Sequence, residues 1–139
     1  MFKIDFQQMY AARAEDLAKM RADIRGALKA AGVEKDDMDA IVLAISEGCM
    51  NVIQHAYRGL DEGMYEVTIR ADDWNIEAII ADNAPAIDVN QIHPRSVDEL
   101  RPGGLGVYFI HQIMDEVKYK VLPNRQGNLL SMKKSLAKV

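Results

Sequence analysis

The 139-residue sequence predicts an α+β fold, a two-layer sandwich whose mixed, mostly antiparallel sheet is covered on one face by helices. Two observations carry this expectation. Helical spacing of apolar residues dominates the first half of the chain, and β-rich runs broken by turn residues dominate the second. An apolar fraction of 49% beside 27% charged residues is that of a chain able to bury a core. The length fits one domain, taken as residues 1–139.

Residues 2–6 alternate apolar and polar side chains and read as a short first strand. Residues 11–31 read as a helix, because Leu17, Met20, Ile24, Leu28 and Ala31 recur at three- and four-residue spacing and Gly32 follows as a stop. Asp36 or Asp37 is placed to cap a second helix with the apolar stripe Met38, Ile41, Val42, Ile45, Cys49, Val52 and Ile53, and Gly59 lies beyond its end. Residues 64–70 and 74–81 form a hairpin pattern with Asp72 and Asp73 as turn residues. Residues 82–104 are polar, contain Pro and lack a period, which marks a functional loop. Helical spacing resumes over 105–114, and residues 117–122 and 128–133, joined by a turn at 123–127, read as a second hairpin.

The formal charge of -4 argues against a general nucleic-acid binder, which needs a clustered excess of Lys and Arg. A protein or small-molecule partner fits better. Cys49 is the only cysteine, so no internal disulfide forms, and no window approaches the roughly 20 apolar residues of a membrane span; the expected location is the cytoplasm.

Three motifs carry chemistry. Glu47, Asn51 and His55 are spaced by four and form a polar row beside the apolar stripe. A carboxylate polarises a hydroxyl or a water, and an amide oxygen suits Mg²⁺, so the row fits phosphoryl transfer; a solvated helix face is the plain alternative. Asp82 ends the apolar run Ile79-Ile80-Ala81, where it is a rigid acceptor for an amino group such as that of adenine; an Asx turn ahead of Pro85 is the competing reading. Arg101-Pro102-Gly103-Gly104-Leu105-Gly106 runs into the third helix, where backbone N–H groups and the helix dipole favour a phosphate; a plain Gly-rich turn reads the same way.

In this order the motifs resemble the N box, first glycine box and second glycine box of the GHKL ATPase and kinase superfamily, with its Bergerat-type ATP-binding fold, and the resemblance covers most of the chain. Residues 44–47 through Asn51 to His55-Ala56-Tyr57, with Gly106 through residues 114–117, look most like anti-sigma-factor serine/threonine kinases. The resemblance implies ATP and Mg²⁺, sequestration of a sigma factor, phosphorylation of a Ser or Thr on an anti-anti-sigma (STAS-type) antagonist, and action as a homodimer away from nucleic acid and membrane. It implies that Glu47 is the general base and that Asn51 holds Mg²⁺. Asp82 would read adenine beside Ala84, and Gly103, Gly104, Leu105 and Gly106 would cradle phosphates. Arg101 and His55 would neutralise charge developing on the transferred phosphoryl group.

Ala84 departs from that pattern, because the first glycine box has glycine there. A Cβ at a positive-φ position costs roughly 1 kcal/mol, and the methyl has the potential to crowd the nucleotide. Pro85 and Asp88 keep the rest of the closer pattern. Two alternatives therefore stay open: a sequestering module that has lost turnover, and a histidine-kinase catalytic domain. The latter needs an acceptor histidine on a helical domain, and His55, His93 and His111 all lie beyond the first helix. His93 and His111 lack partners at metal-ligand spacing, Cys49 belongs to the apolar stripe, Met38 and Met114 read as core, and Trp74 reads as strand packing before interface.

Overall fold

Strict alternation along the second half of the chain sorts its strands into a buried and an open face. The computed structural model describes residues 4–57, 63–84, 104–122 and 127–136. In chain order these form β1 (Ile4–Ala11), a 3-10 turn (Ala14–Asp16), α1 (Leu17–Ala30), α2 (Lys35–Asn51), a π-helical turn (Val52–Ala56), β2 (Met64–Ala71), β3 (Asn75–Asp82), α3 (Gly104–Ile113), β4 (Glu116–Val121) and β5 (Asn128–Ser135). The strands lie in the order β1-β2-β3-β5-β4, and each neighbouring pair is antiparallel. The expected α+β sandwich is the observed fold, and no parallel pair occurs among the described strands.

On the inner face, β2 buries Tyr65, Val67, Ile69 and Ala71, β3 buries Ile76, Ala78 and Ile80, and β5 buries Leu130 and Met132. Leu17, Met20, Ile24 and Leu28 of α1, with Ile41, Val42, Ile45 and Cys49 of α2, close over that face. The stripe read from spacing is thus the one that packs. The intervening strand residues, such as Thr68 and Ile79, stay half-buried on the other face. Cys49 is fully buried and its thiol is pushed up to about 12 by desolvation, which makes it a core residue and not a nucleophile.

Three expectations are corrected. β1 runs to Ala11 and α1 begins only at Leu17, because residues 7–11 are held in register from Gln7↔Thr68 to Ala11↔Met64 and the Tyr10 ring meets that of Tyr65 at 5.9 Å. The cap of α2 is Glu34, in extended backbone with no side-chain cap bond, and Asp36 and Asp37 instead occupy the first turn, where the helix dipole favours negative charge. Trp74 falls in the β2–β3 turn at 61% exposure and is not strand packing. In that turn Asp72 Oδ1 accepts the N–H groups of Trp74 and Asn75, both at 2.8 Å, as turn chemistry predicts. The expected loop at 82–104 and Gly59 lie largely or wholly outside the described residues.

One contact sets the height of α2 over the sheet. A Cβ at Gly48 would stand 2.6 Å from Ile80 Cδ1 and 3.0 Å from Leu130 Cδ2, so the helix rests on β3 and β5 so closely that a larger residue would have to displace those side chains. Gly48→Val is therefore expected to destabilise the fold by about 1–3 kcal/mol, the range for overpacking a filled core. Urea unfolding checks it, and an unchanged midpoint and slope would contradict the close approach.

Candidate functional site

The alternation that buries Ile76, Ala78 and Ile80 continues one step further and turns Asp82, the last residue of β3, onto the same inner face. Asp82 is only 5% exposed. A buried carboxylate requires donors. Asp82 Oδ1 accepts the Ala84 N–H at 2.9 Å and Asn128 Nδ2 at 3.0 Å. Burial pushes the Asp82 carboxyl above its ordinary range, against the downward pull of those donors. The two readings left open for Asp82 are compatible in this geometry: an Asx turn forms through Oδ1, and that turn fixes the orientation of the carboxylate.

Ala84, the departure from the glycine pattern, is 1% exposed and belongs to the core cluster while its N–H closes the turn. Alanine is thus accommodated at this position. Asn128 opens β5 directly opposite Asp82 and shares its inner face with Leu130 and Met132. Sequence reading missed it, although an inward-parity Asn facing an inward Asp is a signal that alternation alone contains. Gly127 precedes it, and a Cβ there would overlap the Asp82 carbonyl.

Glu47 and Asn51 come from α2. Glu47 is half-buried beside Gly48, and Gly48 sits over Ile80 and Leu130, each two residues inside Asp82 and Asn128. The chain leaving α2 reaches the strand end that carries the buried pair, because Tyr57, just past the turn that follows α2, hydrogen-bonds Asn83. Asn51 is the final residue of α2, and its Nδ2 is buried with no hydrogen-bond partner among the described residues. A buried orphan donor is costly unless a ligand satisfies it. The helix then passes into the π-helical turn, a local widening that often accompanies functional positions. Tyr57 follows; its hydroxyl donates to the Met64 carbonyl at 2.8 Å and accepts the Asn83 N–H at 3.0 Å.

Of the other candidate residues, Gly104, Leu105 and Gly106 form the first turn of α3, and His55 lies in the π-helical turn. Arg101 and Gly103, with the side chain of His55, fall outside the described residues. The structure thus joins Asp82 and Ala84 in one hydrogen-bonded turn, adds Asn128 to it, and leads Glu47 and Asn51 toward it.

The donor set fits a nucleotide. Asn51 offers a buried amide to an anionic oxygen, Asp82 offers a fixed acceptor to an exocyclic amine, and Glu47 is a carboxylate able to take a proton. Among the described residues no three His, Cys, Asp or Glu side chains converge as a metal cage. The hard carbonyl oxygen of Asn51 matches the sparse protein contribution that Mg²⁺ takes when phosphates supply the remaining ligands.

Comparison with known proteins shows the family and the fold. The family model described as the histidine kinase-like ATPase domain matches residues 10–134. The serine-protein kinase RsbW of Bacillus velezensis is 31% identical over 142 residues, covering 96% of this chain and 87% of that protein. RsbW of Bacillus licheniformis is 32% identical, over 90% of this chain and 81% of that one. Among solved structures, the RsbU and RsbW domains of Rv1364c from Mycobacterium tuberculosis superpose with a TM-score of 0.67 at 20% identity, covering 95% of this chain and 32% of that one. The histidine kinase domain of the blue-light activated kinase EL346 from Erythrobacter litoralis gives 0.54 at 16% identity, over 86% and 59%. The two structural likenesses establish the shared fold.

The environment of Asp82 yields a pH prediction. Its carboxyl is raised in the folded chain, so the folded state binds the proton more tightly than the unfolded one. Stability then falls as pH rises through the carboxylate range. Asp82→Asn keeps an acceptor oxygen for Ala84 and Asn128 without the buried charge. It is expected to melt at or above the unsubstituted chain at pH 7, with the difference vanishing below about pH 4. Parallel thermal melts across that range test this, and a variant less stable at pH 7 would contradict it.

Proposed function

The chain belongs to the histidine kinase-like ATPase domain family, and on that footing we propose that it is an ATP-dependent serine/threonine protein kinase of the anti-sigma-factor type. In this reading it holds a sigma factor and phosphorylates a Ser or Thr of an anti-anti-sigma antagonist of the STAS type. The buried Asp82 carboxylate, oriented by Ala84 and Asn128 at the end of the sheet toward which Asn51 leads, is the observation that carries the proposal. The near full-length likeness to RsbW serine-protein kinases supports it.

Asp82 accepts a hydrogen bond from the adenine amino group. Asn51 would satisfy its buried amide on the phosphate side and would hold Mg²⁺ through its carbonyl oxygen; when bound, the ion would supply charge neutralisation to the phosphates. Gly104, Leu105 and Gly106 open α3 and, with Gly103, would offer backbone N–H groups to phosphate oxygens. Glu47 takes the proton of the antagonist hydroxyl as its oxygen bonds to the γ-phosphorus and the bond to the β-γ bridging oxygen breaks, leaving ADP. Arg101 and His55 neutralise the charge spread over the transferred group.

The same proposal treats residues 1–139 as one such domain, acting as a homodimer in the cytoplasm without direct contact with nucleic acid. No helix among the described residues is long and apolar enough to cross a membrane.

Incubation with Mg·ATP and an anti-anti-sigma protein, read by phosphoprotein mass spectrometry, tests the kinase. The expected result is a phosphorylated Ser or Thr, with turnover lowered about 10²- to 10⁴-fold in Glu47→Ala, the range for losing a general base, and ATP affinity held within about twofold. An antagonist that binds and stays unphosphorylated would replace the kinase with a sequestering module.

A further inference from the structure

We infer that Tyr57 is a positioning residue for base recognition: its hydroxyl locks the backbone that follows Asp82 and ties it to the end of the helix carrying Asn51. The inference rests on the ATP reading above and assigns Tyr57 no contact with the transferred group.

The geometry is specific. Tyr57 stands one residue beyond the π-helical turn, with its N–H on the Val52 carbonyl at 3.0 Å. A phenol is at once a donor and an acceptor, and both capacities are used, toward the Met64 carbonyl at the start of β2 and the Asn83 N–H just past β3. Asn83 is the middle residue of the turn in which the Ala84 N–H closes on Asp82 Oδ1. The hydroxyl therefore holds the one residue whose rotation would open that turn and release the carboxylate. Asp82 Oδ1 has a second anchor in Asn128, so losing the brace would loosen the acceptor without unburying it.

The ring is held as firmly as the hydroxyl. Gly63, at φ 89, lies so close to Tyr57 that any Cβ there would overlap the ring. The Gly63 carbonyl in turn accepts the Ala12 N–H at 3.1 Å, which links the brace to the end of β1. Tyr57→Phe keeps the ring against Gly63 and removes only the bridge, so it separates positioning from folding.

The test uses the full chain and Tyr57→Phe, titrated with Mg·ATP and with Mg·GTP, whose base carries a carbonyl where adenine carries its amino group. Hydrogen exchange at the Asn83 amide is measured without nucleotide. The expected result is faster exchange at Asn83, ATP affinity weakened roughly fivefold, as for loss of one net hydrogen bond, and GTP affinity and kcat at saturating ATP unchanged within about twofold. Gly63→Ala, which displaces the same ring, is expected to reproduce the ATP-selective loss. Equal ATP affinity in Tyr57→Phe, or an equal loss for ATP and GTP, would overturn the inference while leaving the ATP reading intact. An unsubstituted chain that binds neither nucleotide would overturn both.

Discussion

The seating of α2 on the sheet at Gly48 is the contact on which the site depends. Helices usually stand off a sheet by the thickness of their side chains, but here Ile80 and Leu130 fill the space that a Cβ at residue 48 would need. The residues on either side of that contact are the ones with chemistry. Glu47 precedes it, Asn51 ends the helix one turn later, and two steps along the strands stand Asp82 and Asn128. A helix lifted by one methyl group would separate the polar row from the strand ends while leaving the hydrophobic count nearly unchanged. The missing side chain at residue 48 thus lets α2 sit against Ile80 and Leu130, and a Cβ there would require those side chains to move.

Burying Asp82 runs against stability, and the surrounding donors offset only part of that. Desolvation dominates its environment, and the Ala84 N–H and Asn128 amide pull the other way. The unsatisfied Asn51 amide is a second polar group whose burial the fold alone does not explain. Two such features near the same end of one sandwich are what supports the proposed ligand site, because each is a local penalty that binding would relieve. Exposed ion pairs elsewhere, such as Arg25 with Asp39 at 2.7 Å between α1 and α2, have no comparable claim, since solvent screens them.

The fold and the two halves of the site were legible in the sequence to different depths. Periodicity gave the α2 stripe and both hairpins because burial on one face enforces it, and Ile41, Ile45 and Cys49 pack where spacing puts them. The first strand was read too short, because residues 7–11 owe their extended conformation to pairing with β2, a long-range constraint that local pattern does not contain. Glu47 and Asn51 stand out as a polar row at four-residue spacing beside the apolar stripe, and Asp82 as a carboxylate at the end of an apolar strand. Asn128 was read only as the start of a strand, since its meaning comes from facing Asp82 across 46 residues of sequence. The sequence around Tyr57 carries no signal of its contacts, because its two backbone partners, Met64 and Asn83, are brought to its hydroxyl only by folding.

In the proposed function the buried Asp82 carboxylate reads a nucleotide base. Calorimetric titration of the unsubstituted chain and of Asp82→Ala with Mg·ATP tests it most directly. Saturable binding by the unsubstituted chain, weakened about 10- to 100-fold in the variant as befits a lost hydrogen bond to a charged group, is the predicted result. No heat at millimolar ATP, or equal affinity in the two proteins, would contradict it.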